Sequence, residues 1–455
     1  MTMCGVAAWI GGDDAALRVY EMLLGLQHRG QEAAGIAYLG NGNSIVVVKG
    51  CGTVTTAINL SNISSKTLLA IGHVRYSTSG SYGGTLAQPV TGPKKFVVVA
   101  FNGNIVNYYE LGLEFFGREY GWDAHLLVDL IEQLYLDHGN LLDAIKEASK
   151  VLVGAYSLVA FTARGEFVAA RDPKGVRPLA YHLSDKVVAI ASETAALEEQ
   201  GLYWKEMGNG MAIYCPTPNP RECYVDHLGW RGDPRPCVFE YIYFLRPDSF
   251  FEGVEAHRAR VKMGFELAKI DDVEADIVAP VPDSGRSAAI GYSAGRGILL
   301  DEVIYLNRYV GRVFISPPSE RNVKLSRKFG VVKSSVKGRR IVVVDDSIVR
   351  GITAKKITSL LRRAEARAVH YRSASPPVRY PCFFGIDFPS RRELVAYGRT
   401  VEEIKSVIGA DTLLYNTVKA LKKCVGRPTC MGCFTSEYAY PINLSKAEKL
   451  FSKRM

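Results

Sequence analysis

No apolar run in this chain approaches the roughly 18 residues that a bilayer span requires. The longest, KFVVVAF at 95–101 and IVVV at 341–344, have the length of a strand. The amino end lacks the basic region and long apolar stretch of a secretory signal, so a cytoplasmic protein with no membrane partner is expected. Internal repeats and low-complexity tracts are absent as well. Nine cysteines, odd in number and unevenly spaced, do not make a disulfide framework, and in a cytoplasmic chain they point to metal binding or catalysis. Acid is nearly missing from 308–340, where ten Lys or Arg face Glu320 alone. Only Tyr309, Phe314 and Phe329 could stack there, which argues against nucleic acid and for a small, very anionic partner such as a polyphosphate.

What is present is the composition of a soluble globular protein. Of 455 residues 47% are apolar and 22% charged, with a net charge of +10, and the length suits two or three domains. Up to about residue 215, short β-rich runs (GVAAWI, SIVVVKG, LLAIGHVRY, FVVVAFNGN, AYSLVAFTA, EFVAARD, VVAIASE) alternate with two helical stretches, AALRVYEMLLGLQHRG and AHLLVDLIEQLYLDHG. This predicts two sheets with helices packed on them. Five prolines in 215–236 read as a linker or irregular crossing. Beyond it strand and helix alternate, which predicts a parallel sheet with right-handed crossovers.

The most specific stretch is IVVVDDSIVRGIT at 341–353. An apolar strand delivers Asp345 and Asp346 to its carboxyl end, and a loop with Ser347, Arg350 and Gly351 leads through Thr353 into a helix. Backbone donors and a helix amino terminus suit a phosphate, and paired acids suit ribose hydroxyls or a hard cation. This stretch resembles the phosphoribosylpyrophosphate (PRPP) signature of type I phosphoribosyltransferases. Ser284, Gly285 and Arg286 in PDSGRSAA are similar to that family's pyrophosphate loop, and NRYVGRVFISP, with Arg308 and Arg312, resembles a flag loop that closes over PRPP. The resemblance implies one Mg2+ per subunit at Ser284, Asp345 and Asp346.

At the amino end, Cys4-Gly5-Val6 is followed by QHRGQEAAGIA at 27–37, HVRYSTSG at 73–80 and FNGN at 101–104. Together these resemble the class II glutamine amidotransferases. The resemblance implies that Cys4, once it is the first residue, is the nucleophile, with its own α-amine (ordinary pKa about 7.7–8.0) as base. It assigns the oxyanion donors to Asn102 and Gly103, the substrate carboxylate to Arg75, its ammonium to Asp123, and the shape of the pocket to Arg29 and Thr78. His28 and His73 lack partners at metal-ligand spacing and read as structural. Met1, Thr2 and Met3 stand before Cys4, so the amine is free only after a propeptide is cleaved or if translation starts at Met3.

The two parts in one chain resemble the glutamine phosphoribosylpyrophosphate amidotransferase family. The implied fold is an α+β Ntn-hydrolase four-layer αββα domain at 4–230, after a propeptide or non-native start at 1–3. An α/β parallel-sheet type I phosphoribosyltransferase domain follows at 231–455, with its flag loop at about 307–335. Glutamine, PRPP and water would give 5-phosphoribosylamine, glutamate and pyrophosphate, the entry step of purine synthesis, with ammonia passed internally. Inhibition by purine nucleotides and a homotetramer are implied by the family only.

CMGC at 430–433 needs two further ligands to hold a metal or cluster. The family's iron-sulfur branch nominates Cys237, Cys382, Cys430 and Cys433 for one 4Fe-4S cluster per subunit, with zinc as the alternative. Cys51, Cys215, Cys223 and Cys424 read as ordinary small or buried residues. Ile352, His125, Val313 and Ser316 depart from the family pattern. Rival readings are another class II glutamine amidotransferase, which VDDSIVRG disfavours, and a catalytically silent PRPP-fold regulatory or nucleic-acid-binding protein.

Overall fold

The computed structural model describes residues 4–76, 86–307, 328–388, 390–444 and 447–448. Residues 5–227 build two antiparallel sheets. One has seven strands in the order Lys205–Glu206, Ala180–Leu183, Val188–Ala191, Gly5–Ile10, Leu69–Arg75, Ala33–Gly40 and Ser44–Cys51. The other has six: Tyr224–His227, Met211–Cys215, Phe167–Arg171, Gly154–Thr162, Val97–Ile105 and Val90–Thr91. Gly5–Ile10 is buried throughout because its two faces meet different layers. Val6, Ala8 and Ile10 pack with Val98, Ala100 and Phe161 between the sheets. Ala7 and Trp9 pack with Val19 and Leu23 of the helix Ala15–Gly25. Helices Tyr108–Phe116, Asp123–His138 and Leu141–Val151 cover the outer face of the second sheet through Leu111, Leu130 and Ile145. The result is the expected αββα sandwich.

Two local expectations were too sparse. Among the described residues six α-helices, not two, precede residue 200, since Val54–Ala57, Tyr108–Phe116, Leu141–Val151 and Thr194–Glu198 are also helical. In particular, Gly139 closes the helix Asp123–His138 in the left-handed conformation, and the Asn140 side chain caps a further helix directly after it, Leu141–Val151. Ala33–Gly40 is also a strand. Its small residues have little strand preference, and pairing on both sides with Ser44–Cys51 and Leu69–Arg75 holds it extended.

The second half carries a four-stranded, all-parallel sheet: Ile277–Pro280, Arg340–Asp345, Ala368–Ser373 and Thr412–Tyr415. Alternate residues of Arg340–Asp345 face opposite layers. Val342 and Val344 meet Met263, Ala288 and Tyr292 of helices Ala256–Ala268 and Arg286–Arg296. Ile341 and Val343 meet Ile357, Leu361 and Ile404 of helices Ile352–Arg363 and Val401–Ile408. Helices on both faces are the usual setting of a parallel sheet.

The proline-rich crossing is more ordered than expected, because Tyr224–His227 forms the edge strand of the six-stranded sheet. This hairpin also corrects the reading of two cysteines. Cys215 ends one strand, Cys223 precedes its antiparallel neighbour, and the reversal joins them in a disulfide. Cys51 is exposed and Cys424 buried, both as free thiols. No helix among the described residues is long and apolar enough to cross a membrane.

Candidate active site

Cys4 immediately precedes the central strand of the seven-stranded sheet, half-buried, with its thiol donating to the Tyr76 carbonyl at 3.9 Å. Burial pushes the thiol above its ordinary value, opposed by that hydrogen bond and by the charge of Arg75. A thiol so placed does not ionise unaided; it needs a base beside it. Arg75, 3% exposed, lies over the Trp122 ring at 5.6 Å and 3.4 Å from Glu32. Asp123 follows Trp122 at the start of its helix and accepts from the Ile105 amide at 3.1 Å. That bond ties it to the strand carrying Asn102 and Gly103. Asn102 is 1% exposed, and its Nδ2 has no hydrogen-bond partner among the described residues. A buried donor left unpaired is costly, and such a donor is what a developing oxyanion requires. Gly103 has φ +152°, and a Cβ there would stand 1.9 Å from the Ala155 carbonyl oxygen.

Arg29 is bonded to the backbone of Cys4. Its Nε donates to the Cys4 carbonyl at 2.9 Å, Nη1 contacts Glu193, and Nη2 donates to Glu240 at 3.0 Å. With every side of the guanidinium occupied, it has nothing left for a substrate. Burial disfavours the charge of Glu193, yet His28 and Arg29 hold its carboxyl far below the usual range. Gly30 follows because the chain passes against the Val74–Arg75 backbone, where a Cβ would lie 2.5 Å from the Val74 carbonyl carbon. Thr78 and Met1–Met3 lie outside the described residues.

At the carboxyl end of Arg340–Asp345 a cavity of about 170 Å³ opens. Ser284, Asp345, Asp346, Ser347, Arg350, Gly351 and Thr353 line it together. Asp345 accepts from the Tyr371 hydroxyl at 2.7 Å and from the Asp346 amide at 3.0 Å. Burial raises both carboxyls, and the charge of Asp346 raises Asp345 further. Gly351, at φ +75°, turns the chain into the helix Ile352–Arg363, whose first turn faces the cavity. Arg350 is ion-paired to Glu393, with Asp387 3.6 Å away. Gly285 and Arg286 do not line the cavity; Arg286 pairs with Glu302 and Asp283. Arg308, Arg312, Val313 and Ser316 lie outside the described residues. Ile352 lines the mouth half-exposed, and His125 packs edge-on against Trp122 at 4.9 Å.

The sequence reading missed Tyr243 and Lys328, which also line the cavity. Lys328 belongs to the basic run noted above, and Tyr243 to EYIYF, a stretch considered only for the cysteine before it. Glu193, Glu240 and Arg177 carry no signal in the sequence, because buried partners of Arg29 are assembled only by folding.

Cys237, Cys382, Cys430 and Cys433 are all buried in one core cluster as free thiols. Cys237 and Cys430 are bridged backbone to backbone. Burial pushes Cys237 up to about 12 and Cys430 up to about 11, and the other three thiols raise Cys433 further. Arg177 sets a positive charge beside Cys237 and Cys382. Among the described residues no three His, Cys, Asp or Glu side chains already stand in a group able to hold a metal ion.

Residues 73–199 match the model of a glutamine amidotransferase domain family. An amidophosphoribosyltransferase from Archaeoglobus fulgidus is 39% identical, with 97% of this chain and 98% of that protein covered. The solved glutamine PRPP amidotransferase of B. subtilis, complexed with ADP and GMP, superposes with a TM-score of 0.86 at 38% identity, covering 96% of this chain and 98% of the other. A structure described as the allosteric regulatory enzyme of purine biosynthesis superposes at 0.89 with 37% identity, over 98% and 99%.

Proposed function

The chain belongs to the amidophosphoribosyltransferase family, and from that premise we propose how its two sites share the reaction. The enzyme converts L-glutamine, PRPP and water to 5-phosphoribosylamine, L-glutamate and diphosphate, the first committed step of purine synthesis. At the first site Cys4, with its α-amine free, loses the thiol proton to that amine and attacks the glutamine side-chain amide. Asn102 Nδ2 and the Gly103 amide receive the oxyanion, while Arg75 and Asp123 hold the substrate's carboxylate and ammonium. The tetrahedral intermediate collapses as the amine returns its proton to the leaving nitrogen, so ammonia departs as the acyl-enzyme forms, and water then hydrolyses that thioester to glutamate. At the second site the ammonia displaces pyrophosphate from the ribose C1, having travelled inside the protein.

The partnerless Nδ2 of Asn102, buried on the strand that Asp123 holds, is the observation that carries the glutaminase reading. In the PRPP cavity Asp345 and Asp346 hold the ribose hydroxyls, and Ser347, Gly351 and Thr353 hold the 5-phosphate. Arg350 reaches that phosphate by leaving Glu393. Ser284, Asp345 and Asp346 would hold one Mg2+, since two buried carboxyls raised by burial would gain from a divalent cation's charge. Bound there, Mg2+ would neutralise the departing pyrophosphate. The four buried thiols, with Arg177 to offset their charge, suit a structural 4Fe-4S cluster by donor chemistry. Purine nucleotides are inhibitors on this reading, in keeping with the ADP and GMP complex of the B. subtilis protein.

Turnover of glutamine and PRPP together by one purified sample, with phosphoribosylamine as product, tests the whole. Cys4→Ala should abolish synthesis from glutamine and leave synthesis from ammonia. Loss of both activities in a folded protein would overturn the two-site mechanism, and a fully active chain whose mass still includes Met1–Met3 would overturn the α-amine base.

A further inference from the structure

We propose that a second cavity, built on the CMGC segment and apart from both reaction sites, binds a phosphorylated sugar. Its volume is about 440 Å³, within the roughly 300–1,000 Å³ of small-molecule sites, and it shares no lining residue with the PRPP cavity. The reaction proposed above makes no use of it.

The proline-rich crossing and the carboxyl-terminal segment build it together. The Cys430 amide donates to the Pro236 carbonyl at 2.8 Å, and the Val238 amide donates to the Cys430 carbonyl at 3.3 Å. That backbone bridge brings Arg235 to the cavity that Thr429, on the other side of the bridge, also lines. Lys422 comes from the helix Val418–Val425 and Arg427 from the turn after it, while Glu437 and Tyr438 follow the short helix Gly432–Thr435.

The charge around the cavity is unbalanced. Arg427 is ion-paired to Glu252 at 3.1 Å, but among the described residues neither Arg235 nor Lys422 has a side-chain partner. Two unpaired cations match the charge of about −1.5 to −2 that a phosphomonoester carries at neutral pH, and the fork of an arginine fits two of its oxygens. Thr429 adds what a merely basic surface would lack. Its Oγ1 is buried without a hydrogen-bond partner among the described residues, whereas the Thr435 hydroxyl donates to the Met431 carbonyl at 3.2 Å. An unpaired buried hydroxyl is costly to the fold, and a ligand oxygen bonded to it removes the cost.

The remaining groups favour a sugar phosphate over phosphate alone. Glu437 has no cation paired to it among the described residues, so its carboxylate repels a bare anion and accepts from hydroxyls. Tyr438 has its own hydroxyl committed to the Pro381 carbonyl at 2.7 Å, which leaves its ring as an apolar wall. A dianionic head joined to a hydroxyl-bearing body answers both ends of the cavity.

Glucose 6-phosphate, glucose and inorganic phosphate are titrated calorimetrically into the full chain. The sugar phosphate should bind at one site per chain, at least about 10-fold more tightly than either fragment. Arg235→Gln and Lys422→Gln should each weaken it by about 10-fold or more. Thr429→Val removes the unpaired hydroxyl at nearly constant shape, so binding should weaken while the melting temperature of the free protein holds or rises. Glu437→Gln should weaken glucose 6-phosphate and tighten inorganic phosphate. Asp345→Asn with Asp346→Asn should leave the affinity unchanged. If Arg235→Gln does not fold, Lys422→Gln, on an exposed side chain, carries the test. A parent that binds glucose 6-phosphate no better than these variants, or no better than inorganic phosphate, overturns the assignment. Binding that is lost with the paired aspartates and kept without Lys422 overturns it as well, because it belongs to the PRPP cavity.

Discussion

Asn102→Ala removes a side-chain amide whose Nδ2 is buried and unpaired among the described residues. An unsatisfied buried donor costs the folded state about 1–3 kcal/mol, and alanine removes that cost while losing the packing of one small side chain, so the two nearly cancel. A change of 1 kcal/mol moves the melting temperature of a chain of 150–250 residues by about 2–4 °C, so the shift expected here is smaller still. Glutamine hydrolysis should behave differently. Loss of one preorganised oxyanion donor typically costs about 100–1000-fold in kcat, or about 2.7–4 kcal/mol of transition-state stabilisation. Since the donor acts on charge that develops during reaction, KM for glutamine should scarcely move. The assay pairs glutamate release with thermal unfolding and with ammonia-dependent synthesis, which should persist. A kcat reduced less than about 10-fold, or a large drop in melting temperature, would show that Asn102 is held for folding and not for the oxyanion.

Asp345→Asn with Asp346→Asn relieves two buried, mutually repelling carboxyls, so the fold should persist while synthesis from either nitrogen source drops by on the order of 100-fold or more; retained ammonia-dependent synthesis would refute their role. His73 is fully buried, and burial, with Arg75 beside it, lowers its imidazole to about 3. The unfolded chain takes up that proton near pH 6.5, so the contribution to stability is complete above that value and is lost as pH falls. Between pH 6.5 and 5 this amounts to roughly 1.5–2 kcal/mol, and His73→Leu should flatten the slope of unfolding free energy over that window; an unchanged slope would show that the imidazole is already protonated in the fold. Anaerobic purification should yield about four iron and four sulfide per chain; one zinc per chain and no sulfide would replace the cluster with a metal site.

Much of the site was readable as text because its residues are neighbours in the chain. IVVVDDSIVRGIT is at once a strand, a turn and a helix start, and one cavity gathers its Asp345, Asp346, Ser347, Arg350, Gly351 and Thr353. The layered sandwich and the parallel sheet were readable for the same reason, since periodicity two and continuous apolar runs report how many faces of a strand are covered. Helix Leu141–Val151, strand Ala33–Gly40 and the Cys215–Cys223 bond were not, because a cap, a pair of flanking strands and a chain reversal decided them. Arg286 carried the text of a pyrophosphate loop but turns to Glu302, a carboxylate that no local pattern announces. The sequence by itself determined which chemical groups are proposed for each site. Only the tertiary structure decided that Arg29, Glu193 and Glu240, up to 211 residues apart, lie buried against one another. Contacts across such separations are set by how two cores pack, and packing leaves no period in a sequence.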